Sequence, residues 1–502
     1  MKIILVGNSY KYAAEQILLQ TLPGEKPEFA EEIPKSGDFA VITLRELAGR
    51  EFAGNGAVRA SVSARLSLGG KIYFGRAVSR PLSPDTIPRE RERQRAVKLA
   101  FFRAARRASD IELPWGATTG IRPSTLITRM TRSGLGEKAA ARALVREYYV
   151  SPERAELALD SARAELAARS LFDDKYPDGA LALYVGIPFC PTRCAYCSFV
   201  SQSVEKSMKL LPPFLDALKR EADALADILK RSGPRVAALY VGGGTPTTLD
   251  APALDSLLAH LNGAFELSAL REYTVEAGRP DTITAEKLAV MKARGVTRVS
   301  VNPQTMSGDV LRAIGRRHTP EDTYAAFALA REAGFDAINM DLIAGLPGDS
   351  EDGFIASLDA VLALGPENVT VHTLSLKRGS RVTLENTPTP SGAEVSRALS
   401  RAFPALRAAG YSPYYLYRQK FTSGGFENTG WAKPGQNCIY NMIMMDEILP
   451  VLALGSGVTK LVSPEGRIER IFNPKYPYEY IERIDGVLDK KSRIEDFLRS
   501  KL

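Results

Sequence analysis

Tryptophan, histidine and cysteine are all scarce in this chain: two, three and four among 502 residues. So few cysteines, three of them crowded into eight positions, exclude a secreted disulfide framework, which would spread them out. Long apolar runs are missing too. No stretch approaches the roughly 20 apolar residues that a membrane-spanning helix needs, so no membrane span is expected. The opening run Ile3 to Val6 is cut by Gly7 and Asn8 and is too short for a signal peptide. A cytoplasmic protein is the expectation. Low-complexity segments are absent, and 45% of residues are hydrophobic, ample for packed cores. The net charge of +8 comes without any nucleic-acid motif, so no nucleic-acid partner is expected. The excess cations are either a solvated surface or a match for a poly-carboxylate substrate.

The length predicts two or three domains. Residues 1–170 read as an α+β accessory domain. Val58, Ala60, Val62, Ala64, Leu66 and Leu68 alternate with polar residues, the period of a half-buried strand. Gly69-Gly70 then turns the chain into a second strand, Lys71 to Phe74. A basic helix follows from Pro88 to about Ala108, with Val97, Ala100, Phe101 and Ala104 on one face. Residues 171–420 have another rhythm. Apolar, β-branched runs alternate with helical stretches: Leu181–Pro188, Val236–Gly242, Tyr273–Ala277, Arg298–Pro303, Ala337–Leu346, Val369–Leu376 and Tyr414–Tyr417. That alternation predicts α/β architecture, a parallel sheet that closes wholly or partly into a barrel. Residues 421–502 read as a C-terminal extension on the substrate side. It holds Gly455-Ser456-Gly457 and an amphipathic end.

The segment carrying chemistry is Cys190-Pro-Thr-Arg-Cys194-Ala-Tyr-Cys197, directly after the first of these runs. Thiolates are the usual ligands of iron–sulfur clusters. Three on one loop can hold three irons of a [4Fe–4S] cubane and leave the fourth iron open. An open iron can chelate the amino and carboxylate groups of a methionine-containing cofactor. Structural zinc asks for four ligands, usually in paired C-x2-C knuckles. Here Cys438 is far downstream, and His260, His318 and His372 are all remote from the triplet. Cys438 reads as a small buried hydrophobe.

C-x3-C-x2-C after a strand resembles the radical S-adenosylmethionine (AdoMet) superfamily. Val241-Gly-Gly-Gly-Thr-Pro246 is similar to its glycine motif. Tyr184-x-x-Ile-Pro-Phe-Cys190, Tyr273-Thr-Val-Glu-Ala277, Val299-Ser-Val-Asn-Pro-Gln304, Gly315-Arg-Arg-His318 and Asn339-Met-Asp-Leu-Ile-Ala-Gly-Leu-Pro347 resemble, in order, the oxygen-independent coproporphyrinogen oxidase family. His372-Thr-Leu-Ser-Leu-Lys-Arg-Gly-Ser380, Tyr414-Tyr-Leu-Tyr-Arg-Gln-Lys420 and the N-terminal Thr-Gly-Ile-Arg-Pro are similar to its HemZ-type branch. The resemblance spans nearly the whole chain. It implies a radical AdoMet partial (β/α)6-type barrel, a cluster on Cys190, Cys194 and Cys197, and AdoMet as second cofactor. It places Tyr184, Tyr196, Gly243, Gly244, Thr245, Glu276, Gln304, Arg316 and Asp341 around AdoMet. Glu276 and Asp341 would take the ribose hydroxyls, and Gln304 and Arg316 the methionine end, Arg316 on its carboxylate.

By the same resemblance the chain is an oxidoreductase of haem biosynthesis. It would use a 5′-deoxyadenosyl radical to turn propionates of coproporphyrinogen III into the vinyl groups of protoporphyrinogen IX. A flavodoxin or ferredoxin would donate electrons. The rivals are a haem-binding or trafficking protein that keeps the cluster, and a radical enzyme acting on haem. Gly186 stands where better-known oxidases carry His, and Phe199 where they carry another Cys. The chaperone members' His-Asn…Tyr-Trp segment has no match in Asn437-Cys-Ile-Tyr-Asn441. Lys377, Arg378, Arg381, Arg418 and Lys420 follow two of the predicted strands and are the expected partners of substrate carboxylates.

Overall fold

Alternation drives the N-terminal part into a mixed sheet, parallel at the N-terminal strand and antiparallel beyond it. The computed structural model describes every residue except 48–57, 110–112, 177–178, 198–201, 204–206, 378, 420–422, 464–465 and 502. The candidate substrate residues Arg378 and Lys420, and Phe199, lie outside the described residues. The first sheet contains β1 (Lys2–Val6), β2 (Glu28–Phe29), β3 (Phe39–Leu47), β4 (Arg59–Leu68) and β5 (Lys71–Val78), in the order β2-β1-β3-β4-β5. Gly69 and Gly70 both take positive φ, 55° and 75°, as the tight turn between β4 and β5 requires. Ala60, Val62, Ala64 and Leu66 are buried against the helix Thr86–Ala105, whose Val97, Ala100, Phe101 and Ala104 form the matching face. Arg89 and Arg93 of that helix pair with Glu46. This sheet belongs to a unit made of Met1–Ile121 and Gly134–Glu156, while Arg122–Ser133 and Leu157–Leu502 form a second.

In the second unit the central parallel strands are buried on both faces, which is why their sequences are apolar runs rather than alternations. Thirteen strands are described there. They are β6 (Ala180–Ile187), β7 (Phe189–Cys190), β8 (Gln202–Ser203), β9 (Arg235–Gly243), β10 (Glu272–Val275), β11 (Arg298–Ser300), β12 (Ala337–Ala344), β13 (Asn368–Thr373), β14 (Ser412–Arg418), β15 (Glu427–Ala432), β16 (Val451–Gly455), β17 (Val458–Val462) and β18 (Ile468–Phe472). β7 and β8 pair only with each other; the rest form one sheet, β14-β15-β13-β12-β11-β10-β9-β6-β16-β17-β18. From β6 to β13 the strands of this sheet run parallel, joined by helices such as Leu211–Ser232, Ala251–Ala264 and Glu351–Leu364. All their carboxyl ends therefore open on one rim, where ligands of parallel α/β sheets bind.

Two features differ from the sequence reading. The run Tyr414–Tyr417 is not a further parallel unit: β14 pairs antiparallel with β15, which pairs antiparallel with β13. The seventh parallel strand is β16, from beyond residue 420, and it lies beside β6. Long-range pairing of this kind leaves no local signature in the chain.

Candidate active site

The cysteine loop begins where β6 ends. Ile187 is in register with Gly243 of β9, so the glycine turn lies directly beside the loop. Gly244 N donates to Ile187 O (2.7 Å) and Thr245 N to Phe189 O (2.7 Å). Thr245 Oγ1 reaches Cys190 Sγ at 3.5 Å. Gly244 has no room for a side chain, since a Cβ would stand 2.4 Å from Phe189 O. Gly243 has φ +111°, which favours glycine, and its Cβ position faces Ile187 and the Tyr184 hydroxyl.

Cys190, Cys194 and Cys197 and all nine expected AdoMet residues line one cavity of about 440 Å³. Glu276, at the carboxyl end of β10, accepts from the Tyr240 hydroxyl (2.5 Å) and Gly243 N (3.1 Å). Burial and the neighbouring Asp341 charge push its carboxyl up to about 7, against those hydrogen bonds. Asp341 on β12 is equally buried, yet His372, Asn339 and Thr370 hold it below the usual carboxylate range. His372 Nε2 stands 3.7 Å from Asp341 Oδ2 and Nδ1 3.3 Å from Asn428 Oδ1. Burial opposes its protonation, but these partners raise it above the ordinary histidine range. Gln304 takes φ +70°, a conformation sparsely populated by residues other than glycine and one that concentrates at functional sites. Arg316 is buried. It donates to Asn302 O (2.8 Å) and reaches the Tyr196 hydroxyl (3.4 Å), while its Nε has no hydrogen-bond partner among the described residues.

The expected substrate cations divide. Lys377 lines the cavity. Of the other described members, Arg381 and Arg418 do not line it, which corrects the expectation for these two residues. Arg381 is turned outward, 55% exposed, beside Glu385 at 3.4 Å. Arg418 is buried within β14 and donates to Gly425 O (2.9 Å); burial pushes its guanidinium down to about 10. Successive residues of β14 point to opposite faces, so Arg418 leaves the face on which Tyr415 and Tyr417 reach the cavity. Cys438 is buried, as expected, and donates to Glu272 Oε1 (3.1 Å).

Several cavity residues escaped the sequence reading. Tyr240 stacks on Tyr440 (4.3 Å between centroids) and more distantly on Tyr184 (6.2 Å). Arg279 is buried, bidentate to Asp281, and donates to Thr192 O and Oγ1 at 3.1 and 2.7 Å, so it tethers the cysteine loop. His372, Tyr415, Tyr417, Gln419, Asn428 and Asn441 complete the wall opposite the cysteines. Arg279 carried a signal, three residues after Glu276, and His372, Tyr415, Tyr417 and Gln419 lay inside the segments 372–380 and 414–420 already singled out. The absence of His at position 186 now has a cause: a Cβ on Gly186 would stand 2.3 Å from Ser456 O, just beyond β16.

These residues fit the two groups that the motif implies. Among the described residues no three His, Cys, Asp or Glu side chains gather as a single metal ion would need. A cubane asks instead for one thiolate on each of three irons. The Gly243–Gly244 cradle leaves backbone accessible, and the unpaired Arg316 Nε suits a carboxylate. The model of the Radical SAM superfamily matches residues 184–361. The chain is thus a radical AdoMet oxidoreductase, with a [4Fe–4S] cluster and AdoMet as its cofactors. It is 38% identical over 417 residues to the oxygen-independent coproporphyrinogen-III oxidase-like protein HemZ of Bacillus subtilis, covering 82% of this chain and 83% of that one. It belongs to that family. It is also 30% identical to the heme chaperone HemW of Mycobacterium tuberculosis, over 62% of this chain and 76% of HemW. The solved coproporphyrinogen III oxidase HemN of Escherichia coli shares the fold, with a TM-score of 0.50 at 24% identity over 65% of this chain and 73% of that one. Among the described residues no helix is long and apolar enough to cross a membrane.

Proposed function

We propose that this chain converts coproporphyrinogen III to protoporphyrinogen IX without oxygen. Each of two propionates gives up one hydrogen atom, CO2 and one electron and becomes a vinyl group. The observation that carries this reading is the likeness to HemZ, which extends over more than four fifths of both chains. The cluster and AdoMet, when bound, supply one-electron hydrogen abstraction. The chain's own residues would do the rest. Cys190, Cys194 and Cys197 would hold the cluster; Gly243, Gly244, Thr245, Gln304 and Arg316 the methionine end of AdoMet; and Glu276 and Asp341 its ribose, with Tyr184 and Tyr196 alongside. Lys377 would pair with an unreacted carboxylate at the mouth. His372, Tyr417 and Asn428 would meet the polar edge of the tetrapyrrole.

The test is anaerobic. Reconstituted protein is given coproporphyrinogen III, AdoMet and a reductant, and products are read by mass spectrometry. Loss of two CO2 per tetrapyrrole is expected. Haem bound without turnover would replace this reading with that of a haem-trafficking protein, the role named for the HemW relative. Lys377→Ala should weaken porphyrinogen binding by about 1–3 kcal/mol, the range for a charged hydrogen bond. Arg418→Ala should lower stability and leave that binding unchanged.

A further inference from the structure

The two carboxylates of the cavity have neighbours of different kinds. Glu276 accepts from neutral donors, the Tyr240 hydroxyl and Gly243 N. Asp341 accepts from Asn339 Nδ2 at Oδ1 (2.8 Å) and faces His372 Nε2 at Oδ2 (3.7 Å), an ion-pair distance. The other side of the imidazole decides its charge. Thr373 N donates to Asn428 Oδ1 (2.9 Å), which fixes the amide with its oxygen toward β13. That same oxygen lies 3.3 Å from His372 Nδ1. Nδ1 meets an acceptor and therefore carries a hydrogen. Nε2 meets a carboxylate oxygen, where a bare nitrogen would set lone pair against lone pair. Both nitrogens are donors, so the ring is an imidazolium. The other titratable groups on this part of the cavity are Glu276 after β10, Tyr415 and Tyr417 of β14, and Lys377 beyond β13. Of these, Glu276 adds a smaller favourable charge to that of Asp341, while burial opposes protonation.

We propose that His372 is a positioning residue for AdoMet: bridging Asp341 and Asn428 as a cation, it holds Asp341 ionised and oriented to accept the ribose hydroxyls. The inference rests on the reading that Asp341 takes the ribose. A carboxyl group removed from water beside a second carboxylate tends to take up a proton, and protonation would leave it one acceptor site fewer. A cationic partner prevents this without using up the carboxylate, because each oxygen has a second lone pair. The ring nitrogens of His372 are thereby spent inside the wall, so toward the tetrapyrrole the residue presents charge rather than a free N–H.

The experiment uses the anaerobically reconstituted protein. AdoMet affinity is measured by calorimetry in wild type, Asp341→Asn, His372→Gln and the double variant. Glutamine keeps a donor at this position but no charge. His372→Gln should weaken AdoMet binding about tenfold, the scale of one charge-assisted interaction, and Asp341→Asn by at least as much. In the Asp341→Asn background His372→Gln should cost nothing further, because His372 acts through Asp341. A merely structural histidine would cost the same in both backgrounds. A second measurement needs no substitution at 372. The chain has three histidines, so ring-nitrogen NMR of histidine-labelled protein can resolve each of them. At pH 7 His372 should carry a hydrogen on both nitrogens, whereas His318, pushed down to about 4 by burial, should be neutral. In Asp341→Asn the His372 ring should titrate at a lower pH. A neutral His372 at pH 7, full affinity in His372→Gln, or an equal cost of that change with and without Asp341 would overturn the proposal alone. Unchanged affinity in Asp341→Asn would overturn the ribose reading as well.

Discussion

The two walls of the cavity are built by different means. One comes from the carboxyl ends of consecutive parallel strands, β6, β9, β10, β11 and β12, each delivering one short motif: the cysteine loop, the glycine turn, Glu276, Gln304 and Asp341. The other comes from β13, the antiparallel pair β14 and β15, and the helix Ile439–Asp446, which deliver His372, Tyr417, Asn428 and Asn441. On the first wall the spacing of the chain mirrors the spacing of the site, because every crossover returns the next strand to the same rim. On the second wall antiparallel pairing reverses the chain, and side chains of adjacent strands arrive from opposite directions. The first wall is suited to a cofactor of constant shape. The second is where this chain can differ from its relatives.

The largest effect expected follows from the first wall. Cys190→Ala, Cys194→Ala and Cys197→Ala should each abolish the cluster, read as iron and sulfide content after anaerobic reconstitution. Cys438→Ala should retain about four irons, the stoichiometry of one cubane. Iron loss in Cys438→Ala would show that the far wall supplies a ligand, and the division between the walls would fail.

A smaller effect is expected where β16 meets β6. Gly186→His restores the residue of better-known oxidases, but its Cβ meets Ser456 O. Overpacking against backbone should cost about 3 kcal/mol, the upper part of the usual range. Denaturant unfolding would read this. Undiminished stability would mean that the C-terminal strand yields easily, and that the site can be converted toward the His-containing relatives.

The smallest effect concerns Glu276. Its folded carboxyl titrates near 7, against an ordinary value of 4.5. Between those pH values the folded chain binds more protons than the unfolded one, so this group's contribution to stability falls as pH rises through the window. The stability of wild type relative to Glu276→Gln should therefore drop by about 1–2 kcal/mol from pH 5 to pH 7, since each tenfold difference in proton affinity is worth about 1.4 kcal/mol. Denaturant titrations of both proteins across that range provide the check. A pH-independent difference would show Glu276 already ionised, and the pairing of Asp341 with His372 would then govern both carboxylates.

Local sequence determined a great deal here. The cysteine spacing, the glycine turn and a family resemblance picked out Glu276, Gln304, Arg316 and Asp341, which the structure gathers with the three cysteines around one cavity. The reason is that a strand, its turn and the next helix are contiguous, so chemistry at a strand end is written within a few residues of the strand itself. The alternation at 58–68 and the apolar runs after 180 likewise predicted which strands have one buried face and which have two. What only the tertiary structure decided depends on pairing between distant segments. β14 became the edge neighbour of β15, and in that place strand alternation puts Tyr417 on the cavity side and Arg418 on the opposite one. β16 closed on β6 and left no space for a side chain at Gly186. His372 acquired its raised affinity for a proton from Asp341, on the neighbouring strand, and from Asn428, 56 residues away in the chain. Charge and residue type are local properties, but burial, register and the direction in which a side chain leaves its strand are set by what packs beside it.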